Sequence, residues 1–337
     1  MHLAAGAAAL PAASRIASAQ IYPTRPITII VPFSAGGALD VLGRVLAERM
    51  RSSLGQTIVI ENVTGASGSL GVGRVARAAP DGYTLVIGYW GTHVANGAVY
   101  ALPYDVVSNF EPIALTVTNA NLIVSKNAAP AKNLRELIGW LKANPDKAAG
   151  TTGIGSIEHV GGILFQNITG TRFHFVPYRG AAPAVQDLVA GQIDLIVENL
   201  VPSLPQIRAG NIKAFAVTAK TRLAAAPEIP TVDEAGLPGF YVTAWLGLWA
   251  PKGTPQNAIA KLNSATVTAL ANPTVRMRLA DLGFEIFPRD QQTPEALAAY
   301  QKQCPISGKM AATWPGFDSS IKHAFWLYPG RKTESCV

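Results

Sequence analysis

From Tyr22 onward the chain alternates between short β-like runs and amphipathic helical ones. That alternation constrains the fold more than any single motif. "PITIIVPF" (26–33) reads as a buried strand, and a helical pattern follows over 40–53. There Val41, Leu42, Val45, Leu46 and Met50 keep the i, i+3, i+4 rhythm, with Gly55 just past the end. "TIVIEN" (57–62) and "YTLVIGYW" (83–90) are further strands, separated by a helix that ends near Pro80. "NLRELIGWLKANP" (133–145) is a helix with Asn133 and Glu136 spaced as a capping box. "FHFVPYRG" (173–180) leads into the helix "APAVQDLVAGQ", then the strands "IDLIVEN" (193–199) and "IKAFAVTA" (212–219). Thr254-Pro255, Asn272-Pro273 and Thr293-Pro294 each read as an N-cap followed by proline at the first helical position. This pattern predicts α/β architecture with mainly parallel sheets. Glycine-bearing turns in separate halves of the chain point to two α/β lobes rather than one barrel.

Composition narrows the function. Apolar residues make up 49% of the 337 and charged residues 15%, which suits a packed core with a bland surface. The net charge is +7, yet no three Lys or Arg stand together and aromatics do not interleave with basic runs. Nucleic-acid binding is therefore not expected, and an anionic small molecule suits the mild basicity. Cys304 and Cys336 lie near the end, so the first 303 residues can form neither a disulfide framework nor a cysteine metal site. "HLAAGAAALPAASRIASAQ" ends in Ala17-Ser18-Ala19, an A-x-A pattern before Gln20. It looks like the apolar region and cleavage site of a secretion signal without its basic beginning. Residues 1–19 are read as a signal-peptide remnant, with an Ala-rich tail as the alternative. The uncharged stretch Ala235–Pro251 is broken by Pro238, Gly239 and Gly247, so it reads as strands and turns rather than a membrane span.

Two turns are candidate anion sites. In "VPFSAGGALD" (31–40), Gly36 and Gly37 permit close backbone approach, and the helix behind them aims its first N–H groups into the turn. A phosphate loop would place a lysine at the helix start, but Asp40 stands there, and no G-x-G-x-x-G follows. An anion site other than a nucleotide loop and a plain capped turn both remain open. In "TTGIGSIEHVGG" (151–162), Glu158 occupies the place of a third glycine. The better reading is a loop with Ser156 as N-cap and His159 three residues on, either as a ligand contact or as a packed histidine. G-x-S-x-G and H-E-x-x-H are both absent, and His2, His93, His159, His174 and His323 are scattered. No catalytic residue, metal site or cofactor is assigned.

Several blocks taken together resemble one family. They are "YPTRPITIIVPFSAGGALDVLGRVLAERM", "GQTIVIENVTGASGSLGVGRVARAAPDGYTLVIG", "HFVPYRGAAPAVQDLVAGQIDLIVEN" and "IPTVDEAGLPGFYVTAWLGLWAPKGTP". Their colinear order from Tyr22 to Lys302 is similar to the Bug-type (TctC-like) periplasmic solute-binding receptors of tripartite tricarboxylate transporters. The resemblance implies a type II periplasmic-binding-protein fold, with two α/β lobes joined by a two-strand hinge. Chain crossings would fall near Leu115–Ile123 and Val242–Leu248. Lobe one would combine 22–118 with 246–302, and lobe two would be 119–245.

By the same resemblance, Phe33, Ser34, Ala35, Gly36 and Gly37, with Asp40, would hold one carboxylate through backbone N–H groups and water. Thr92 and His93 lie in the matching block of that lobe. Thr152, Gly155, Ser156 and His159 would face the other end of the ligand, with Gly180, Ala181 and Glu198 nearby. Glu198 stands where the family usually has aspartate. The similarity stops after Lys302. Residues 303–337, with three prolines and both cysteines, are expected to be a poorly ordered, divergent tail, from a frame shift or a replacement. The implied protein is a monomeric periplasmic receptor that captures a small carboxylate, dicarboxylate-like, and delivers it to membrane permease subunits. An α/β enzyme acting on a carboxylated metabolite and a ligand sensor for a signalling partner are the rival readings.

Overall fold

The computed structural model describes residues 22–303. The candidate export signal and, apart from Gln303, the expected tail lie outside the described residues. Among these residues no helix is long and apolar enough to cross a membrane. The first sheet takes β1 (Ile27–Val31), β2 (Ile58–Asn62), β3 (Thr84–Tyr89), β9 (Thr243–Pro251), β10 (Phe284–Ile286) and the first part of β4 (Phe110–Lys126). The second takes the rest of β4 with β5 (Ala148–Thr151), β6 (His174–Pro177), β7 (Leu195–Asn199) and β8 (Ile212–Val217). The outer strands run parallel, β2 and β3 on β1, β6 and β7 on β5. Every antiparallel pairing involves β4 or β9.

β4 joins the two halves. Residues Phe110–Ala120 pair with β9, and Asn121–Ser125 pair with β7. The chain returns at Val242–Thr243, and β9 then inserts between β3 and β4. At this crossing the Thr218 N–H donates to the Asn121 carbonyl (2.8 Å) and the Val242 N–H to the Thr218 carbonyl (3.1 Å).

Helices flank both sheets. α1 (Ala38–Leu54) buries Leu42, Val45, Leu46 and Met50 on its predicted face. It ends at Gly55, whose left-handed φ of 67° lets its N–H reach the Arg51 carbonyl. α2 (Ser69–Ala76) and the short α3 (Asn96–Val99) follow β2 and β3. α4 (Leu134–Ala143) is capped by Asn133, which accepts the Glu136 N–H at 2.9 Å. The Glu136 carboxylate reaches one residue further back than a capping box predicts, to the Lys132 N–H. α5 (Ile157–Thr169), α6 (Ala181–Val189) and α7 (Leu200–Arg208) follow β5, β6 and β7.

Three helices end the described residues: α8 (Gln256–Ala271), α9 (Pro273–Asp281) and α10 (Pro294–Gln303). The expected caps at Asn272 and Thr293 are present. Thr254 is a correction. Its hydroxyl turns back to the Pro251 carbonyl, Pro255 has extended ψ and is itself the cap, and α8 starts one residue later than expected.

Candidate functional site

β1, β5, β6 and β7 all hand the chain into helices at the same end of the strands, as open α/β sheets that bind ligands do. Between these turns lies a narrow cavity of about 40 Å³, room for roughly three water-sized positions. The first turn of α1 (Gly37 to Asp40) forms one wall. Ile157 and Glu158 of α5, Ala181 of α6 and Asn199, the cap of α7, come from the second sheet's helices. The N-termini of four helices therefore converge on one space.

Two of these starts carry no side-chain cap. Gly37 precedes α1 and Gly180 precedes α6, and neither helix receives a capping hydrogen bond from its cap residue. Their first N–H groups lack intrahelical acceptors and carry the positive end of the helix dipole. By contrast Ser156 accepts the His159 N–H at the start of α5, and Asn199 accepts the Val201 N–H at the start of α7. Among the described residues no Lys, Arg or His lines the cavity. The donors that face it are backbone N–H groups at the helix starts and neutral side chains.

The two carboxylates in the wall are held differently. Asp40 accepts the Gly36 N–H (3.0 Å), Nε and Nη2 of Arg44, and Nδ2 of Asn62. Burial alone would raise the Asp40 carboxyl, but these bonds outweigh it and hold it below its ordinary range. Asp40 is thus an ionised strut that shapes the glycine turn. Glu158 takes the Thr152 hydroxyl on one oxygen at 2.7 Å. Burial, and then the charge of Glu158, push the Tyr89 phenol well above its usual value, so it stays neutral beside the cavity.

The floor is one face of β4 and its neighbours. Asn119 stands opposite Ala244 and Asn121 opposite Asn199, and all four line the cavity. Asn119 is 2% exposed and Asn121 is fully buried, and among the described residues neither amide has a partner on its oxygen or its nitrogen. A bare buried amide costs about 1–3 kcal/mol, so four polar atoms of the floor call for partners that the described residues do not supply.

The turns of the two sheets are in contact across the cavity. The Ser34 N–H donates to the Arg179 carbonyl (3.0 Å), and the Tyr100 hydroxyl to the Ile154 carbonyl (2.8 Å). The Gly180 backbone lies so close to Ser34 that a Cβ there would meet the Ser34 backbone N at 2.9 Å.

Of the residues singled out in the sequence, Phe33, Ser34, Gly37, Asp40, Thr152 and Ala181 line the cavity. Ala35 is exposed, and Gly36 contributes its N–H to Asp40. Thr92 and His93 face inward. The Thr92 hydroxyl bonds the Tyr89 backbone and His93 Nδ1 (2.9 Å), and the His93 ring stacks on Trp249 at 3.8 Å. Burial takes His93 down to about 3, which makes it a neutral core histidine. Gly155 lies against Asn96 and Val99, Ser156 is a helix cap, and the His159 ring packs on Phe175. Glu198 points to the other strand face, opposite Leu122, with one oxygen on the Asn199 N–H (2.7 Å). Its burial, then the Glu158 charge, push its carboxyl well up, so it is neutral behind the wall.

Sequence reasoning missed Tyr89, Asn119, Asn121, Glu158 and Asn199 as wall residues. For the first two asparagines a signal existed. In "TVTNANLIVSK" the pair sits at i, i+2, which places both amides on one face of an apolar strand.

Residues 42–308 match the family described as the tripartite tricarboxylate transporter family receptor, TctC. Three similar solved structures are a periplasmic binding protein, BugD, and two proteins of Rhodopseudomonas palustris. BugD is 40% identical with a TM-score of 0.81, over 84% of this chain and 94% of its own. MatC, solved with malate, is 39% identical with a TM-score of 0.80, over 84% and 97%. Rpa4515, solved with adipate, is 33% identical with a TM-score of 0.80, over 84% and 94%. These relatives are binding proteins and not enzymes. The chain belongs to the TctC family of tripartite tricarboxylate transporter receptors, the Bug-type periplasmic solute-binding proteins.

Proposed function

We propose that the protein captures a small carboxylate, dicarboxylate in type, in the cavity between its sheets and passes it to the permease subunits of a tripartite transporter. The observation that carries this reading is the pair of glycine-capped helix starts, α1 and α6, on one cavity that no basic side chain among the described residues lines. Such ends favour anions and satisfy carboxylate oxygens without a counter-charge. Malate in MatC and adipate in Rpa4515 support the ligand class. The contacts expected from Phe33, Ser34, Gly37, Asp40, Thr152 and Ala181 belong to this reading. Thr92, His93, Gly155, Ser156, His159, Gly180 and Glu198 shape the walls from behind.

Capture works by closure in this reading. One lobe comprises 22–120 with 243–302, the other 121–242, a shift of a few residues from the boundaries expected from sequence. The hinge is the crossing of β4 with Val242–Thr243. A ligand touching both lobes favours the closed form by its differential affinity. The receptor acts as an exported monomer.

A thermal-shift screen over mono-, di- and tricarboxylates tests the proposal. At a hundred times its Kd a ligand stabilises by about 2.7 kcal/mol, a rise on the order of 5 °C for a chain of this size. Ala181→Asp, which puts a negative charge into the cavity wall, should abolish the shift while the protein remains folded. If no carboxylate raises the melting temperature of folded protein, the proposal fails.

A further inference from the structure

Glu158 brings its charge to the cavity wall without a cation to match it. It is 6% exposed, and its Oε2 accepts the Thr152 hydroxyl at 2.7 Å. Asp40, in the same wall, is paired with Arg44 through two hydrogen bonds and adds no net charge. The other titratable groups around Glu158 add none either. Tyr89 of β3 is a neutral phenol, and Glu198 of β7 is a neutral carboxyl. Burial takes His159, next along α5, down to about 4, so its ring is neutral too. Asp187 of α6 is bonded to the Tyr178 hydroxyl. His174 of β6 and Arg179, just before α6, are exposed and do not line the cavity.

A bound dicarboxylate leaves this site with an excess of negative charge. Each of the four helix starts carries roughly half a positive charge, so together they offer about two. The ligand brings two negative charges, and Glu158 is a third. In a cavity of about 40 Å³ little solvent is left to screen the difference. The wall already shows how such an excess resolves. Glu198 stands behind Glu158, fully buried, with Oε2 unpartnered among the described residues. Burial, and then the Glu158 charge, keep a proton on it. A ligand carboxylate inside the cavity sets a new charge beside Glu158 in the same way.

We infer that capture takes up one proton from solvent, which Glu158 holds on Oε1 and donates to the ligand carboxylate beside it. This rests on the carboxylate reading above and adds that the captured species is a dicarboxylate together with a proton. Affinity then falls as the pH rises, because the complex holds one proton more than the separate receptor and ligand.

Calorimetric titration of the unaltered protein with succinate, malate, adipate and any tighter carboxylate from the screen tests it. Runs in phosphate and in Tris, whose ionisation enthalpies differ, count the protons taken up per ligand bound. Between about pH 7 and about pH 8.5 the free dicarboxylates are ionised, so their own titration does not contribute. In that window the ligand that binds tightest should take up about 0.5–1 proton, and its Kd should rise about 5- to 30-fold. Glu158→Gln, which still accepts the Thr152 hydroxyl, should bring the count near zero and hold the change in Kd below about two-fold. Binding with no proton uptake and a flat Kd overturns the inference, while the carboxylate reading stands. An uptake that persists in folded Glu158→Gln also overturns it, because the proton then lies elsewhere. If no carboxylate binds at any pH, both readings fall together. The first arm needs no variant, so it can refute the inference even if Glu158→Gln does not fold.

Discussion

Gly180→Ala should weaken ligand binding while leaving the empty protein as stable as before. Gly180 has a φ of 166°, extended backbone that alanine also adopts, so the substitution costs nothing in an open cleft. In the closed arrangement the new Cβ would lie 2.1 Å from Ser34 Oγ and 2.9 Å from the Ser34 backbone N. The hydroxyl can rotate away. The backbone nitrogen cannot, because its N–H is tied to the Arg179 carbonyl at 3.0 Å. The two turns must therefore part by several tenths of an ångström, which weakens that bond and the wall between Gly37 and Ala181. Overpacking of this kind costs about 1–3 kcal/mol. Loaded only onto the closed form, that is roughly a 5- to 150-fold rise in Kd. Titration calorimetry with the tightest carboxylate from the screen reads the Kd, and thermal melts without ligand read the stability. Unchanged affinity would show that the bound form is not the closed arrangement. A fall in ligand-free melting temperature matching the lost affinity would show that Gly180 packs within one rigid body, without hinge closure.

Other substitutions probe the supports of the site. Asp40→Ala leaves the Gly36 N–H and Asn62 short of an acceptor and should cost about 2–4 kcal/mol in urea unfolding. Arg44 adds little to that figure because its side chain is 52% exposed and water screens it. Because the Asp40 carboxyl is held below its ordinary value, its contribution is present above about pH 4 and fades as the pH falls through the folded value. The gap between wild type and variant should narrow in acid. His93 titrates in the opposite sense to a stabilised histidine. Burial lowers it to about 3, so the wild type loses stability as the pH falls from about 6.5 toward 3, at up to about 1.4 kcal/mol per pH unit. His93→Gln should flatten that slope in urea titrations across the window. Asn133→Ala removes the cap of α4 and should cost about 1 kcal/mol, with no effect on ligand affinity.

Much of the architecture was legible from local chemistry alone. The periodicity of Leu42, Val45, Leu46 and Met50 names the buried face of α1, and Gly55 its end. Asn133, Ser156, Asn272 and Thr293 announce the helices behind them, because a cap side chain bonds only to its own first turn. The turn at Phe33–Gly37 was visible for the same reason, since a glycine pair between strand and helix acts within a few residues. Thr254 shows the limit of that rule. Its hydroxyl found a carbonyl three residues back, and the cap moved to Pro255.

Which side chains meet the cavity was decided by contacts between distant parts of the chain. Period-two alternation shows that Asn119 and Asn121 share a face. It does not show that β9, more than a hundred residues later, lies beside that face, or that β4 passes from one sheet into the other between them. The resemblance implied Thr92 and His93 near the ligand, and the stacking of the His93 ring on Trp249, from β9, with Phe110 at its edge, is a contact their own segment does not show. Glu198 is turned from the cavity by its register against Leu122. Sequence alone therefore determined the elements, their caps and the glycine turns, because hydrogen bonding and helical periodicity act within a turn or two. Tertiary structure decided the floor of the site, because a strand's two faces are equivalent until its neighbours choose which one is buried in the core and which one a ligand meets.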